Sequence, residues 1–149
     1  MKLSIIVFAT LLSTTFATLY ASPIAKDFVV LQQIIDQAYL NIDLSVDLNS
    51  KQLANQPFLQ IVELRLKFAQ NTLGHAGFLD LDYLNIGLYV ISLRCKRPKA
   101  ALLVLKRQLA EETNPRLQSW LQKRITLLEN NKQKLNAEKE FSALRLLFN

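Results

Sequence analysis

Residues Leu79 to Glu112 read LDLDYLNIGLYVISLRCKRPKAALLVLKRQLAEE, and this stretch constrains the fold more than any other. Between Asp82 and Arg94 there is no charged side chain. A helix with no charged face has no side suited to water, so it must be covered on all sides and other helices must pack around it. Asp80 or Asp82 supplies an N-cap, because a short carboxylate can accept from the free backbone N–H groups two or three residues later. Gly87 interrupts the run, and a mid-helix Gly costs about 1 kcal/mol relative to Ala. That cost is offset if a neighbour, the preceding or the following helix, approaches closely at Gly87. A tight basic turn, Arg94-Cys95-Lys96-Arg97, follows, and Pro98 opens the next helix at a position where its missing N–H is not needed.

The rest of the chain repeats helical spacing. Phe28, Leu31, Ile35, Ala38, Tyr39 and Ile42 recur every three or four residues, with Gln32, Gln33, Asp36 and Gln37 opposite, predicting an amphipathic helix from Ile24 to Asn41. Ile42 to Leu48 instead alternates apolar and polar side chains. With no second alternating run to pair with, it reads as an extended connector plugging Leu and Val into the core, or else as an edge for another chain. Asp43 and Asp47 in this segment lack the Gly and terminal Glu of a calcium loop. A second helix is expected from Asn55-Gln56-Pro57 to Leu73, with Pro57 at its first position and Phe58, Ile61, Val62, Phe68 and Ala69 inward, closed by Gly74. In the helix after Pro98, Ala101, Leu102, Leu105 and Leu109 face inward. Asn114-Pro115 starts another, with Leu117, Trp120, Leu121, Ile125 and Leu128 inside and Lys123 and Arg124 outside. Asn130-Asn131 is a weak break, so Pro115 to Phe148 reads either as one long helix or, the favoured reading, as two, the last marked by Ala137, Phe141, Leu144 and Phe148.

These helices and short turns give an all-α class of about five to six antiparallel hairpin-forming helices, either a compact bundle or a short tetratricopeptide-like array. The phrase Leu84-x-x-Gly87, then Leu93, Ala100-Ala101, Leu105 and Asn114-Pro115, resembles a tetratricopeptide repeat. The resemblance covers one hairpin. Gly87 to Ala100 is one residue too long, Val90 stands where the aromatic is expected, and Pro115 comes late, so what it implies is α-hairpin geometry.

Export is the clearest expectation. Met1-Lys2 is a short positive region, Leu3 to Leu12 is apolar, and cleavage is expected after Ala17 or Ala21. Residues 1–21 are thus read as a signal peptide and 22–149 as one domain, bound for the periplasm or the exterior. Cys95 is the sole cysteine, so no internal disulfide can form. It is either packed in the core or a free thiol activated by Arg94, Lys96 and Arg97.

Charge is divided unevenly within the total of +6: residues 22–90 carry four basic and seven acidic side chains, net −3, and residues 91–149 carry thirteen and five, net +8. Such asymmetry suits an acidic partner or anionic surface. Export argues against nucleic acid. No nucleophile–base set, metal-ligand cluster or phosphate loop is visible, His75 is the single histidine, and no cofactor is expected. The reading is a non-catalytic protein-binding module whose candidate contact residues are Arg94, Lys96, Arg97, Lys99, Lys106 and Arg107. The alternative is attachment to an anionic membrane through the C-terminal segment, where Leu144, Leu146, Leu147 and Phe148 lie beside Lys132, Lys134, Lys139 and Arg145.

Overall fold

A computed structural model describes residues 23–42, 53–130 and 134–148. Its elements are six helices: α1 (Pro23–Leu40), α2 (Asn55–Thr72), α3 (Leu81–Arg94), α4 (Pro98–Glu111), α5 (Pro115–Glu129) and α6 (Ala137–Leu147). The alternating segment, apart from Ile42 itself, lies outside the described residues, as does the expected signal peptide.

All four prolines fall in the first turn of a helix, where a missing N–H leaves no bond unmade. Pro98 and Pro115 take the first position. Pro57 is the third residue of α2 rather than its first, because the chain becomes helical at Asn55 after an extended Ala54. Asp80 caps α3, accepting from the Tyr83 N–H at 2.8 Å. Asn114 accepts from Arg116 and Leu117, and Asn136 accepts from Lys139. The C-terminal region holds two helices, α5 ending at Glu129 and α6 beginning at Ala137.

Helix α3 is the centre. It packs on α1, α2, α4 and α6, and Ile86 through Ser92 are buried without interruption. Because α6 returns to α3 and α1, the helices close into a bundle instead of extending as an open array. Gly87 sits directly against α2: a Cβ there would lie 2.9 Å from Leu66 Cδ1. The Ser92 hydroxyl is satisfied within the helix, donating to the Leu88 carbonyl at 2.7 Å. On the α1 side, the Tyr83 hydroxyl donates to Asp27 at 3.1 Å, and Phe28 packs against the rings of Tyr83, Phe141 and Phe148.

Two expected faces are rotated. In α2 the buried set is Phe58, Leu59, Val62, Leu66, Ala69 and Gln70, while Phe68 is 62% exposed and Ile61 is half-buried. Apolar residues cover nearly the whole circumference of this helix, so its periodicity is ambiguous. The close seat of Leu66 on Gly87 selects the inner side. In α4 the buried residues are Ala100, Ala101, Val104, Leu105 and Gln108, with Leu102 and Leu109 at the margin. Small Ala side chains let α4 lie close to its neighbours.

In α5, Leu117, Leu121 and Ile125 are buried as expected, but Arg124 is not outside. Its Nε lies 2.8 Å from Glu140 Oε1, and its guanidinium covers the Trp120 ring at 4.7 Å. The same Glu140 oxygen accepts the Tyr89 hydroxyl at 2.7 Å. A carboxylate this buried requires both a cation and a donor, and Arg124 and Tyr89 supply them.

Candidate binding cleft

The basic turn is built by a helix end. After Arg94, the Lys96 N–H donates to the Leu93 carbonyl and the Arg97 N–H to the Ser92 carbonyl, the paired bonds of a Schellman motif. That motif needs a left-handed residue, and Lys96 occupies it at φ 59°. Glycine is the unstrained choice at such a position, and α2 uses it: Gly74 (φ 80°) donates to the Asn71 carbonyl and His75 to the Gln70 carbonyl.

The turn's two arginines face into the structure. Arg94 Nη2 is 2.9 Å from Asp36 Oδ1, its Nε is 3.3 Å from Glu138 Oε2, and its guanidinium lies over Tyr39. One side chain thereby joins α1, α3 and α6. Arg97 donates to the Leu53 carbonyl at 2.6 Å and to Asn55 Oδ1 at 3.2 Å, and covers the Phe58 ring at 4.6 Å. It fastens the α3–α4 turn to the start of α2.

Beside the turn is an open cleft of about 900 Å³. Tyr39, Leu93, Pro98, Leu128, Leu135 and Ala137 give it apolar walls, and Arg94, Lys96, Arg97, Lys134, Asn136 and Glu138 are its polar lining. The structure therefore gathers three of the sequence-selected cations, Arg94, Lys96 and Arg97, into one cavity. Lys99 is exposed one residue beyond Pro98. Lys106 and Arg107, farther along α4, do not line the cleft, and Lys106 pairs with Glu129 of α5 at 2.8 Å.

Sequence reasoning did not select Tyr39, Leu128, Leu135 or Glu138 as part of a site, and it placed Lys134 only in the alternative membrane-binding segment. They lie at the end of α1, at the end of α5 and around the start of α6, and no local pattern joins them to the turn.

Cys95 is half-buried against the core, and burial pushes its thiol pKa up to about 11 despite the opposing pull of Arg97 and Arg94. Of the two alternatives for Cys95, packing in the core or activation by basic neighbours, desolvation thus favours the first. His75 precedes α3 and Cys95 follows it, so the length of that helix, about 20 Å, separates them and no Cys/His pair forms. A smaller cavity of about 300 Å³, near Asp82, Glu112, Asn114 and Arg116, lies at the opposite end of α3. Burial, and then the charges of Asp80 and Glu112, raise the Asp82 carboxyl pKa. Among the described residues no three His, Cys, Asp or Glu side chains converge as a metal site, and no helix is long and apolar enough to cross a membrane.

In α6 the apolar face turns toward the core. Leu144 is buried, Leu147 and Phe148 are half-buried, and Leu146 is exposed.

No protein-family model matches the chain, and no curated protein or solved structure shows significant similarity to it.

Proposed function

We propose that this chain is an exported, non-catalytic binding module that engages an acidic protein partner through the basic surface around the α3–α4 turn. The observation that carries the reading is one open, apolar-walled cleft beside the turn, where exposed Lys96 and Lys134 stand next to the internally engaged Arg94 and Arg97. Concave apolar surface with a few convergent charges is the usual form of a recognition site. The net +8 of residues 91–149 supplies long-range attraction to a negative partner. Export rests on the Met1 to Ala21 pattern, and it places the partner among envelope or secreted proteins.

The test is crosslinked capture from the exported fraction of the native source, repeated with a K99E/K106E/R107E variant and at raised salt. These three side chains are exposed, so reversal leaves the core intact. A partner captured by the native protein and lost on both charge reversal and high salt supports the reading. Capture indifferent to both overturns it.

A further inference from the structure

We infer that the cleft takes an acidic peptide segment of the partner, with one apolar side chain seated among Tyr39, Leu93, Leu128 and Leu135 and carboxylates held by Lys96 and Lys134. The inference rests on the proposed binding function and names the chemistry of what is bound.

Four cations line the cleft, but two are already engaged. Arg94 is neutralised by Asp36 and Glu138, and Arg97 is turned toward Leu53, Asn55 and Phe58. Lys96 and Lys134 are exposed and have no ion-pair partner among the described residues. Lys96 comes from the α3–α4 turn and Lys134 from the approach to α6, so the uncompensated charge belongs to two separate segments of the lining. Carboxylates complement that pair, and side chains such as Phe or Leu complement the walls formed by Tyr39, Leu93, Leu128 and Leu135.

The shape favours a peptide over a small ligand. Small-molecule sites enclose most of the ligand's surface, whereas this cleft is open. A peptide can insert one anchor and leave its backbone in solvent, where its polar groups remain satisfied. Backbone strain supplies an independent pointer. Lys96 holds a left-handed conformation that Gly would hold without penalty, as Gly74 does at the end of α2. Strain retained at a cleft residue is accounted for if the ammonium group is used there.

The experiment is fluorescence anisotropy of the purified protein with a short labelled peptide of Glu and Asp carrying one central Phe. Controls replace the Phe by Ser, or every acid by Lys. Expected are weakening of roughly tenfold or more on loss of the Phe or on K96E/K134E, no binding of the basic peptide, and little change with K123E, a reversal on the exposed side of α5. The K96G variant removes the charge while relieving the backbone, so weaker binding by K96G cannot come from a damaged turn. Equal binding of the Phe and Ser peptides, or indifference to K96E/K134E, overturns the inference. So does displacement of the Phe peptide by anionic phospholipid vesicles that themselves show the K96E/K134E dependence, which would assign the site to a lipid surface. If the peptide fails while partner capture remains sensitive to K99E/K106E/R107E, the cleft assignment falls and the binding function stands. Loss of that sensitivity as well removes both.

Discussion

At Lys96, a side chain and a backbone demand disagree. A left-handed residue other than Gly, Asn or Asp carries a penalty of about 1–2 kcal/mol, partly returned because Gly also enlarges the entropy of the unfolded chain. The K96G variant is therefore expected to be more stable by about 1 kcal/mol in urea unfolding, and K96V less stable than the native protein. Its neighbour Cys95 shows how burial overrides local charge. Three basic residues adjoin it in sequence, yet its thiol is raised to about 11 because desolvation exceeds the attraction of Arg97 and Arg94. Alkylation by iodoacetamide at about pH 8 should be much slower in the folded protein than in the denatured chain. The folded rate should still be rising above pH 9, where an ordinary thiolate approaches its plateau. A fast reaction at neutral pH would show an activated thiol instead.

At the scale of helices, the meeting of α2 and α3 turns on Gly87 and Leu66. Alanine at position 87 gains about 1 kcal/mol of helix propensity, but its Cβ would push on a fully buried Leu66, at a cost of about 1–3 kcal/mol. The expected net for G87A is a loss of about 1 kcal/mol. The L66A variant alone should lose about 3 kcal/mol through its cavity. Adding G87A to L66A should then be stabilising, since the obstruction is gone, and a double-mutant cycle by urea unfolding reads this change of sign directly. An additive cycle would mean that the two helices do not meet there. The same contact explains why the inner face of α2 differs from the one its spacing predicts. Phe68 and Leu66 are both apolar, and only the partner surface decides which of them turns inward.

Across the whole molecule, Glu140 joins elements far apart in the chain. It binds Tyr89 of α3 and Arg124 of α5 from its place in α6. The E140A variant leaves the buried Tyr89 hydroxyl and a largely covered guanidinium without their acceptor, and should cost about 2–3 kcal/mol by thermal or urea unfolding. The raised pKa of the Tyr89 phenol, caused first by burial and then by the adjacent carboxylate, has a further consequence. The folded state retains this proton at pH values where the unfolded chain has lost it, so stability falls as pH rises above the unfolded pKa of about 10. In Y89F the alkaline loss should be smaller.

The local instructions for this bundle are carried by neighbouring residues. Prolines at 57, 98 and 115, caps at Asp80 and Asn114, the left-handed Gly74 and the uncharged run within α3 act over a few residues, so the all-helical class, the approximate limits of most helices and the central place of α3 follow from sequence alone. The basic turn was legible for the same reason. Tertiary structure alone decided which side of α2 is covered, that Arg94 and Arg97 are committed to internal partners, that Arg124 turns inward, and that Lys134 and Leu135 meet the turn across a cleft. Those outcomes depend on contacts between residues far apart in the chain. A charge or an apolar side chain has no assigned direction until the opposing helix supplies its partner.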